Sequence, residues 1–265
     1  MIQISSPSNP NFRKAMRLHE SRGRKQQDRI IVFGANEIRR AVASKIEIDQ
    51  AWVAEQRNSE TEALIESFEQ SQVPIFEVEE ELFSKLCFGQ RIEDMVLVAK
   101  RPSTELNGCK FSSNSLVVVL ESIEKPGNVG AVFRSAVAAG VDVIILADPL
   151  TDIFHPNSIR SSLGSVFLVD VFAGTSEQVK KALVDSGVPI YAARVDSSVN
   201  YTRANFKRSA AVVLGNEHKG LSEVWRGDDV ESVHIPMNDE VDSLNVAMSA
   251  TLLAYEARRQ RSIEE

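Results

Sequence analysis

Two runs in the second half of the chain, "LVVVLES" from Leu116 and "VDVIILAD" from Val141, constrain the fold more than any other feature. Each is apolar at nearly every position rather than at alternate ones. Strands of that kind are buried on both faces, as in the interior of a parallel sheet covered by helices. Parallel neighbours need crossovers of a dozen or more residues. Helical patterns lie where those crossovers belong: "NVGAVFRSAVAAG", "HPNSIRSSLG", "TSEQVKKALVDSG" and "LSEVW". They alternate with the further strand candidates "SVFLVDVFA", "VPIYAARV", "AAVVLG" and "ESVHIPM", and a long helix follows from about Ser243, its expected N-cap. The second half is therefore expected to be an α/β domain with a parallel sheet and right-handed crossovers.

The first hundred residues alternate on a smaller scale. "DRIIVFG", "EIDQAWVAE", "VPIFEVE" and "DMVLVAK" read as strands between the helices "NEIRRAVAS", "SETEALIESFEQS" and "EEELFSKLC". Ahead of them Asn9 is an N-cap candidate with Pro10 at the first helical position. Phe12, Met16 and His19 then fall on one side of that helix. The polar stretch "RPSTELNGCKFSSNS" separates the halves. The expected division is a domain over 1–104, a linker over 105–115 and a second domain over 116–265, which 265 residues can support.

Composition excludes several classes. No apolar run approaches the ~18 residues of a membrane span, and "MIQISSPSNPNF" lacks the apolar core of a secretory leader. Cys87 and Cys109 form neither a metal-ligand spacing nor a disulfide framework, which suits a reducing cytoplasm. His19, His155, His218 and His234 are scattered outside any zinc pattern, so no metal is expected. A GxSxG elbow is missing, which removes the hydrolase reading. Net charge is −7, yet residues 1–45 carry ten basic and three acidic side chains, a net +7; the remaining 220 residues therefore carry −14. A basic contact face on an acidic body is the expected consequence.

Ligands of open α/β sheets bind beyond the carboxyl ends of strands, and three such ends carry candidate chemistry. In "LESIEKPGNVGAVFRSAVAAG" a strand ends at Glu121 and a helix starts near Asn128. Val129, Val132, Phe133, Ala136 and Val137 form its packed face, with Arg134 about 140° from Val129. "GNVG" lacks the full dinucleotide fingerprint. In "LGNEHKGLS", Gly215 and Gly220 bracket Asn216, Glu217, His218 and Lys219, and glycines permit close approach of backbone to a ligand. In "HIPMNDEVDSLNVAMSATLLAYEARRQ", a helix follows an acidic loop. Leu244, Ala247, Met248, Thr251, Leu252 and Tyr255 form one stripe, with Ser243 and Asn245 near its start.

In this order the three segments resemble the motifs of the SPOUT class of methyltransferases, specifically the SpoU or TrmH-like family of RNA 2′-O-ribose methyltransferases. The resemblance covers 116–262, and the first hundred residues resemble the family's ribosomal-protein-like substrate-binding domain. Phe33, Asp239 and Ala247 depart from the family pattern, which has Glu, Gly and Ser there. The resemblance implies a deep trefoil knot at the C-terminal end of the parallel sheet. It also implies S-adenosylmethionine held by Leu214, Gly215, Gly220, Ile235, Met237, Leu244 and Val246, and a homodimer whose active site draws on both subunits.

Further roles follow from the resemblance. A ribose 2′-OH is a weak nucleophile, so a positioned group must help remove its proton while geometry aligns the methyl group. The family's candidate is the motif-one Arg, here Arg134. It acts either as a base or, being normally charged, as a cation that holds an RNA phosphate and polarises the hydroxyl. Asn128 and Glu217 would order that Arg and the ribose, and Ser243 and Asn245 would fix the loop at the methyl donor. Arg13, Lys14, Arg17, Arg22, Arg24 and Lys25 would contact RNA, ribosomal RNA in preference to transfer RNA. Removal of residues 9–45 is then expected to weaken RNA binding and spare cofactor binding. A Rossmann-type nucleotide enzyme using "GNVG" and a non-catalytic RNA-binding relative are the competing readings.

Overall fold

The computed structural model describes residues 1–87, 93–238 and 240–262, so Asp239 lies outside the described residues. The chain divides into two compact units, Met1–Pro102 with Phe154–Phe167, and Ser103–Ile153 with Leu168–Glu265.

The first unit holds the strands β1 (Ile2–Ile4), β2 (Arg29–Phe33), β3 (Ile48–Ala54), β4 (Ile75–Val78) and β5 (Met95–Lys100). Their order is β1-β4-β3-β5-β2. β4 runs parallel to β1 and β3, and β5 antiparallel to β3 and β2. With three residues, β1 is too short to show a period, and the sequence pattern misses it. The helices are α1 (Pro10–Met16), α2 (Ser21–Gln27), α3 (Ala35–Ala43), α4 (Ser59–Gln70) and α5 (Glu80–Leu86). Trp52 centres the core. It stacks on Phe76 at 4.5 Å and meets the edge of Phe12 at 6.0 Å. Ile31, Phe33, Val96 and Val98 join the same cluster.

Asn9 caps α1 as its sequence context predicts, its Oδ1 accepting from the N–H groups of Asn11 at 2.9 Å and Phe12 at 3.4 Å. The basic segment then breaks into a 3-10 turn, Arg17–His19, and α2. Gly23 permits the break, since a Cβ there would lie 1.9 Å from the Arg17 carbonyl oxygen. Arg24 corrects an expectation. It is fully buried, and its Nη1 donates to the carbonyls of Leu18 at 2.7 Å and His19 at 3.0 Å. It holds the end of the turn together rather than facing RNA. The other five basic candidates, Arg13, Lys14, Arg17, Arg22 and Lys25, are exposed.

The second unit is built on six parallel strands: β6 (Leu116–Glu121), β7 (Val143–Ala147), β8 (Asp170–Gly174), β9 (Ile190–Ala193), β10 (Ala210–Leu214) and β11 (Val230–Val233). The helices α6 (Pro126–Ala139), α7 (Pro156–Ser161), α8 (Ser176–Asp185) and α9 (Val246–Ser262) complete the chain, with α7 clustering in the first unit. Sheet order is β11-β9-β10-β6-β7-β8. Val117, Val119, Ile145, Ala211 and Val213 meet Val179 and Leu183 of α8 and Trp225. Val118, Ile144 and Val212, on the opposite face, are equally buried. Both faces are covered, which is why these runs show no alternation. α9 packs along α6 and lies against β10 and β6.

Three local details differ from the sequence pattern. Residues 165–167 form a 3-10 turn, and β8 begins only at Asp170. α6 begins at Pro126, two residues before Asn128. α9 begins at Val246, and its cap is Asn245, whose Oδ1 accepts from the Ala247 N–H at 2.9 Å; Ser243 is therefore not the N-cap. The linker residues 105–115 pack on the second unit, with Glu105 pairing with Ala173 and Leu106, Cys109 and Phe111 resting on its core.

Replacing Arg24 with Met leaves two carbonyls of the turn without their donor. The expected cost is about 1–3 kcal/mol in chemical denaturation, with RNA affinity of the folded protein unchanged. A selective loss of RNA binding at full stability would return Arg24 to the contact surface.

Candidate active site

β6 and β10 are adjacent in the sheet, and the connections leaving them run in opposite directions, to β7 and to β11. Such a switch point opens a crevice at the carboxyl ends of the strands. The loop that leaves β10 there folds back on itself. A Cβ on Gly215 would lie 2.4 Å from the carbonyl carbon of Gly220 and 2.5 Å from the Leu221 nitrogen, so only glycine fits. The close approach predicted for Gly215 is thus an approach to its own chain. Gly220 closes the loop at φ +67°, its N–H donating to the Asn216 carbonyl at 2.9 Å. The buried Asn216 side chain organises the turn from within. Its Oδ1 accepts from the N–H groups of His218 at 2.9 Å and Lys219 at 3.1 Å, and its Nδ2 donates to the Ser122 carbonyl at 2.9 Å.

Glu217 meets the first turn of α6 across this crevice. Pro126 opens that helix, so Asn128 sits in its third position with its side chain free of capping duty. Its Nδ2 donates to Glu217 Oε1. Its Oδ1 accepts from Asn245 Nδ2 at 3.4 Å. One amide therefore joins three loops: the start of α6, the turn after β10 and the entry to α9. The Asn245 side chain caps α9 at the same time. Ala247 contributes a backbone N–H to that cap, so the absence of a hydroxyl at this position leaves the cap intact.

Beside the chain of amides lies a cavity of about 450 Å³. Leu214, Gly215, Gly220, Ile235, Met237, Leu244 and Val246 all line it. Glu217 and Ser243 reach its wall, as do Arg194, Asp196 and Asp242. Asp196 accepts from Arg226 at 2.9 Å and Arg194 at 3.1 Å, and these bonds hold its carboxyl below the ordinary carboxylate range. Arg134 does not line this cavity. It is exposed on α6 and has no polar partner among the described residues.

The support beneath the site escaped sequence analysis. Glu121, buried at the end of β6, accepts from Ser222 Oγ at 2.6 Å, the Ser222 N–H at 2.8 Å and Ser176 Oγ at 2.7 Å. One carboxylate thus fastens the far end of the β10 loop and the start of α8. A Glu ending an apolar strand was its only signal.

Comparison with known proteins adds a second line of observation. Residues 115–255 match the model of the SpoU rRNA Methylase family. The chain belongs to the SpoU rRNA methylase family. Residues 9–96 match an MRM3-like substrate binding domain. A solved structure described as an RNA 2′-O ribose methyltransferase is 35% identical and superposes with a TM-score of 0.85, covering 98% of this chain and 100% of that one. The SpoU methyltransferase AviRb from Streptomyces viridochromogenes, solved in complex with AdoMet, is 26% identical with a TM-score of 0.85 over 96% of this chain and 100% of that one. The 23S rRNA (guanosine(2553)-2′-O)-methyltransferase RlmP of Bacillus subtilis (strain 168) is 24% identical over 97% of this chain and 100% of its own length.

Within this SpoU family member the remaining polar candidates sort by their surroundings. His19 bonds the Leu86 carbonyl at 3.1 Å, His155 accepts from the Asn157 N–H at 3.0 Å, and His234 bonds the Val199 carbonyl at 3.0 Å; all three serve the backbone. His218 and Lys219 are exposed turn residues that also line the cavity. "GNVG" belongs to the first turns of α6 rather than to an open phosphate loop, and the cavity lies at β10 instead, against the Rossmann reading. Among the described residues no group of three metal-ligating side chains occurs, and no helix is long and apolar enough to cross a membrane.

Gly215→Ala forces the two arms of the β10 loop apart. The expected result is a loss of about 1–3 kcal/mol in stability together with loss of ligand binding in the cavity, read by thermal melts with and without ligand. Unchanged melting and binding would contradict the close approach.

Proposed function

We propose that the chain transfers the methyl group of S-adenosylmethionine to a ribose 2′-OH of ribosomal RNA. The carrying observation is the bond network of Asn128, Glu217 and Asn245 beside a cavity lined by Leu214, Gly215, Ile235, Met237, Leu244 and Val246. The volume fits: about 450 Å³ falls within the roughly 300–1,000 Å³ of small-molecule sites. Apolar walls suit an adenosine, and the acids Glu217 and Asp242 suit a cationic sulfonium. The similar proteins, a 23S rRNA 2′-O-methyltransferase and an AdoMet-bound methyltransferase among them, support the same reading.

Bound S-adenosylmethionine supplies an electrophilic methyl group. The chain supplies position and charge. Asn128, held by Glu217 and Asn245, fixes the crevice where the ribose enters. Leu244 and Val246 close the cavity wall, and Gly215 and Gly220 keep the backbone near enough to form it. Arg134 would hold the phosphate beside the target ribose and polarise the 2′-OH, whose proton would pass to water as the oxygen takes the methyl group and the sulfonium departs as a neutral thioether. The loops around the cavity form the deep trefoil knot of the SPOUT class in this reading, and Ser243 orders the loop entering α9.

Arg134 lies outside its own subunit's cavity, so in this reading it serves the substrate of a second subunit. Met248, Leu252 and Tyr255 are 61%, 41% and 46% exposed on α9, one apolar stripe on the helix that packs along α6. A homodimer that buries this stripe carries Arg134 to the partner's crevice. The first unit delivers RNA through Arg13, Lys14, Arg17, Arg22 and Lys25. Deleting 9–45 cannot test that role, because Phe12, Leu18, Ile31 and Phe33 are core residues. A cytoplasmic location follows from a ribosomal RNA substrate. It also suits Cys87 and Cys109, whose thiols burial pushes up to about 11.

Arg134→Ala is expected to slow single-turnover methyl transfer by about 10²-fold or more and to spare cofactor affinity; near-normal turnover would remove Arg134 from catalysis. Mixed dimers of Arg134→Ala and Gly215→Ala subunits regain activity if Arg134 serves the partner and stay inactive if it serves its own subunit. Arg13, Lys14 and Arg17 changed together to Glu lower RNA affinity by about tenfold or more and flatten its salt dependence, with cofactor titration unchanged. Unaltered RNA binding would move the contact surface elsewhere.

A further inference from the structure

Two short segments of the second unit carry a charge that the cofactor cavity does not use. "TRANFKR" (202–208) leads into β10, and "EARRQRS" (256–262) ends α9. Together they hold six basic side chains and one acidic one, a net +5. Counting Glu264 and Glu265, which follow in the sequence, the balance is still +3. This stands out in a chain whose residues after 45 carry −14.

The fold fastens the two segments to each other. Gln260 Nε2 donates to the Ala204 carbonyl at 3.0 Å, and its Oε1 accepts from the Phe206 N–H at 2.9 Å. Arg261 donates to the carbonyls of Phe206 at 2.8 Å, Arg208 at 2.7 Å and Asn114 at 2.9 Å. Arg258 Nη1 donates to the Ala138 carbonyl at the end of α6, at 3.0 Å. These acceptors are neutral, so the bonds fix both guanidinium groups and cancel neither charge. Arg203 and Arg208 are exposed beside them and make no ion pair among the described residues. The buried Glu256 is already taken by Arg259, through two bonds of 2.8 Å. Asp142, near Arg261, accepts from the Leu116 N–H at 2.8 Å.

This surface lies at the amino ends of β6 and β10, and the cavity at the carboxyl end of β10. The five residues of β10 put roughly 15 Å between them. A small cofactor in the cavity does not reach so far, whereas a polymer of phosphates does. Guanidinium groups match phosphate through paired hydrogen bonds. Tyr201, half-buried in the 3-10 turn that ends at Arg203, adds a ring on which a base can stack.

We propose that Arg203, Arg208 and Arg258 form an RNA-anchoring surface on the second unit, holding phosphates of the ribosomal RNA at a distance from the methylated nucleotide. Arg261 sets their spacing through its carbonyl bonds. The proposal rests on the reading of the chain as an RNA methyltransferase.

The test is binding of the full chain to ribosomal RNA across a salt series, with S-adenosylmethionine titration as the control. Arg203→Gln, Arg208→Gln and Arg258→Gln together are expected to lower RNA affinity by about tenfold or more. The slope of log affinity against log salt is expected to fall by about 2, at roughly 0.7 per single-strand phosphate contact. Cofactor affinity is expected to stay within about twofold. The matching triple change to Lys keeps the charges and is expected to keep the slope. Arg203→Gln with Arg208→Gln serves if loss of the Arg258 bond unfolds the end of α9. A glutamine variant that binds RNA with wild-type affinity and slope would overturn the proposal and leave the methyltransferase reading intact. An equal fall in slope for the lysine variant would also overturn it, since charge would not be the cause. Wild-type protein that binds no ribosomal RNA would remove the methyltransferase reading itself.

Discussion

The contact between the backbones of Gly215 and Gly220 sets the geometry of everything around it. No side chain fits between them. The turn they close would otherwise splay, and Asn216 could not hold both its N–H groups and the β6 loop. Glu217 takes its place opposite Asn128 because the turn is closed, and the cavity has a floor for the same reason. Glu121 adds the second anchor through Ser222. A short loop at a switch point thereby becomes a fixed wall of the cavity.

The division of labour between the strands follows from sheet order. β10 lies between β9 and β6, so its loop can touch groups that are distant in sequence on both sides. Asn128 comes from the β6 side and Arg194 from the β9 side. The entry to α9 crosses back to Asn128 through Asn245. The parallel sheet thus holds groups that are distant in sequence at fixed places around one crevice.

Much of this was legible in the chain. Continuous apolar runs announced buried parallel strands, and all six strand candidates of the second half correspond to strands in the sheet. Seven residues named for the cofactor surround a single cavity. What stayed hidden depends on tertiary contact. Arg24 carries the same charge as its exposed neighbours, and only packing shows that its partners are carbonyls. The stripe of Leu244, Ala247, Met248, Thr251, Leu252 and Tyr255 has the spacing of a core face, yet only Ala247 of it is buried, together with Val246, Ala250, Leu253 and Ala257 of α9. Periodicity identifies an apolar face without saying what covers it.

The most direct measurement is the fate of a labelled methyl group. Ribosomal RNA incubated with the protein and methyl-labelled S-adenosylmethionine is digested to nucleosides and separated. The account expects label in a 2′-O-methylated nucleoside at a single site, dependent on Arg134. Label in a base-methylated nucleoside, or none in RNA that lacks the modification, would contradict it.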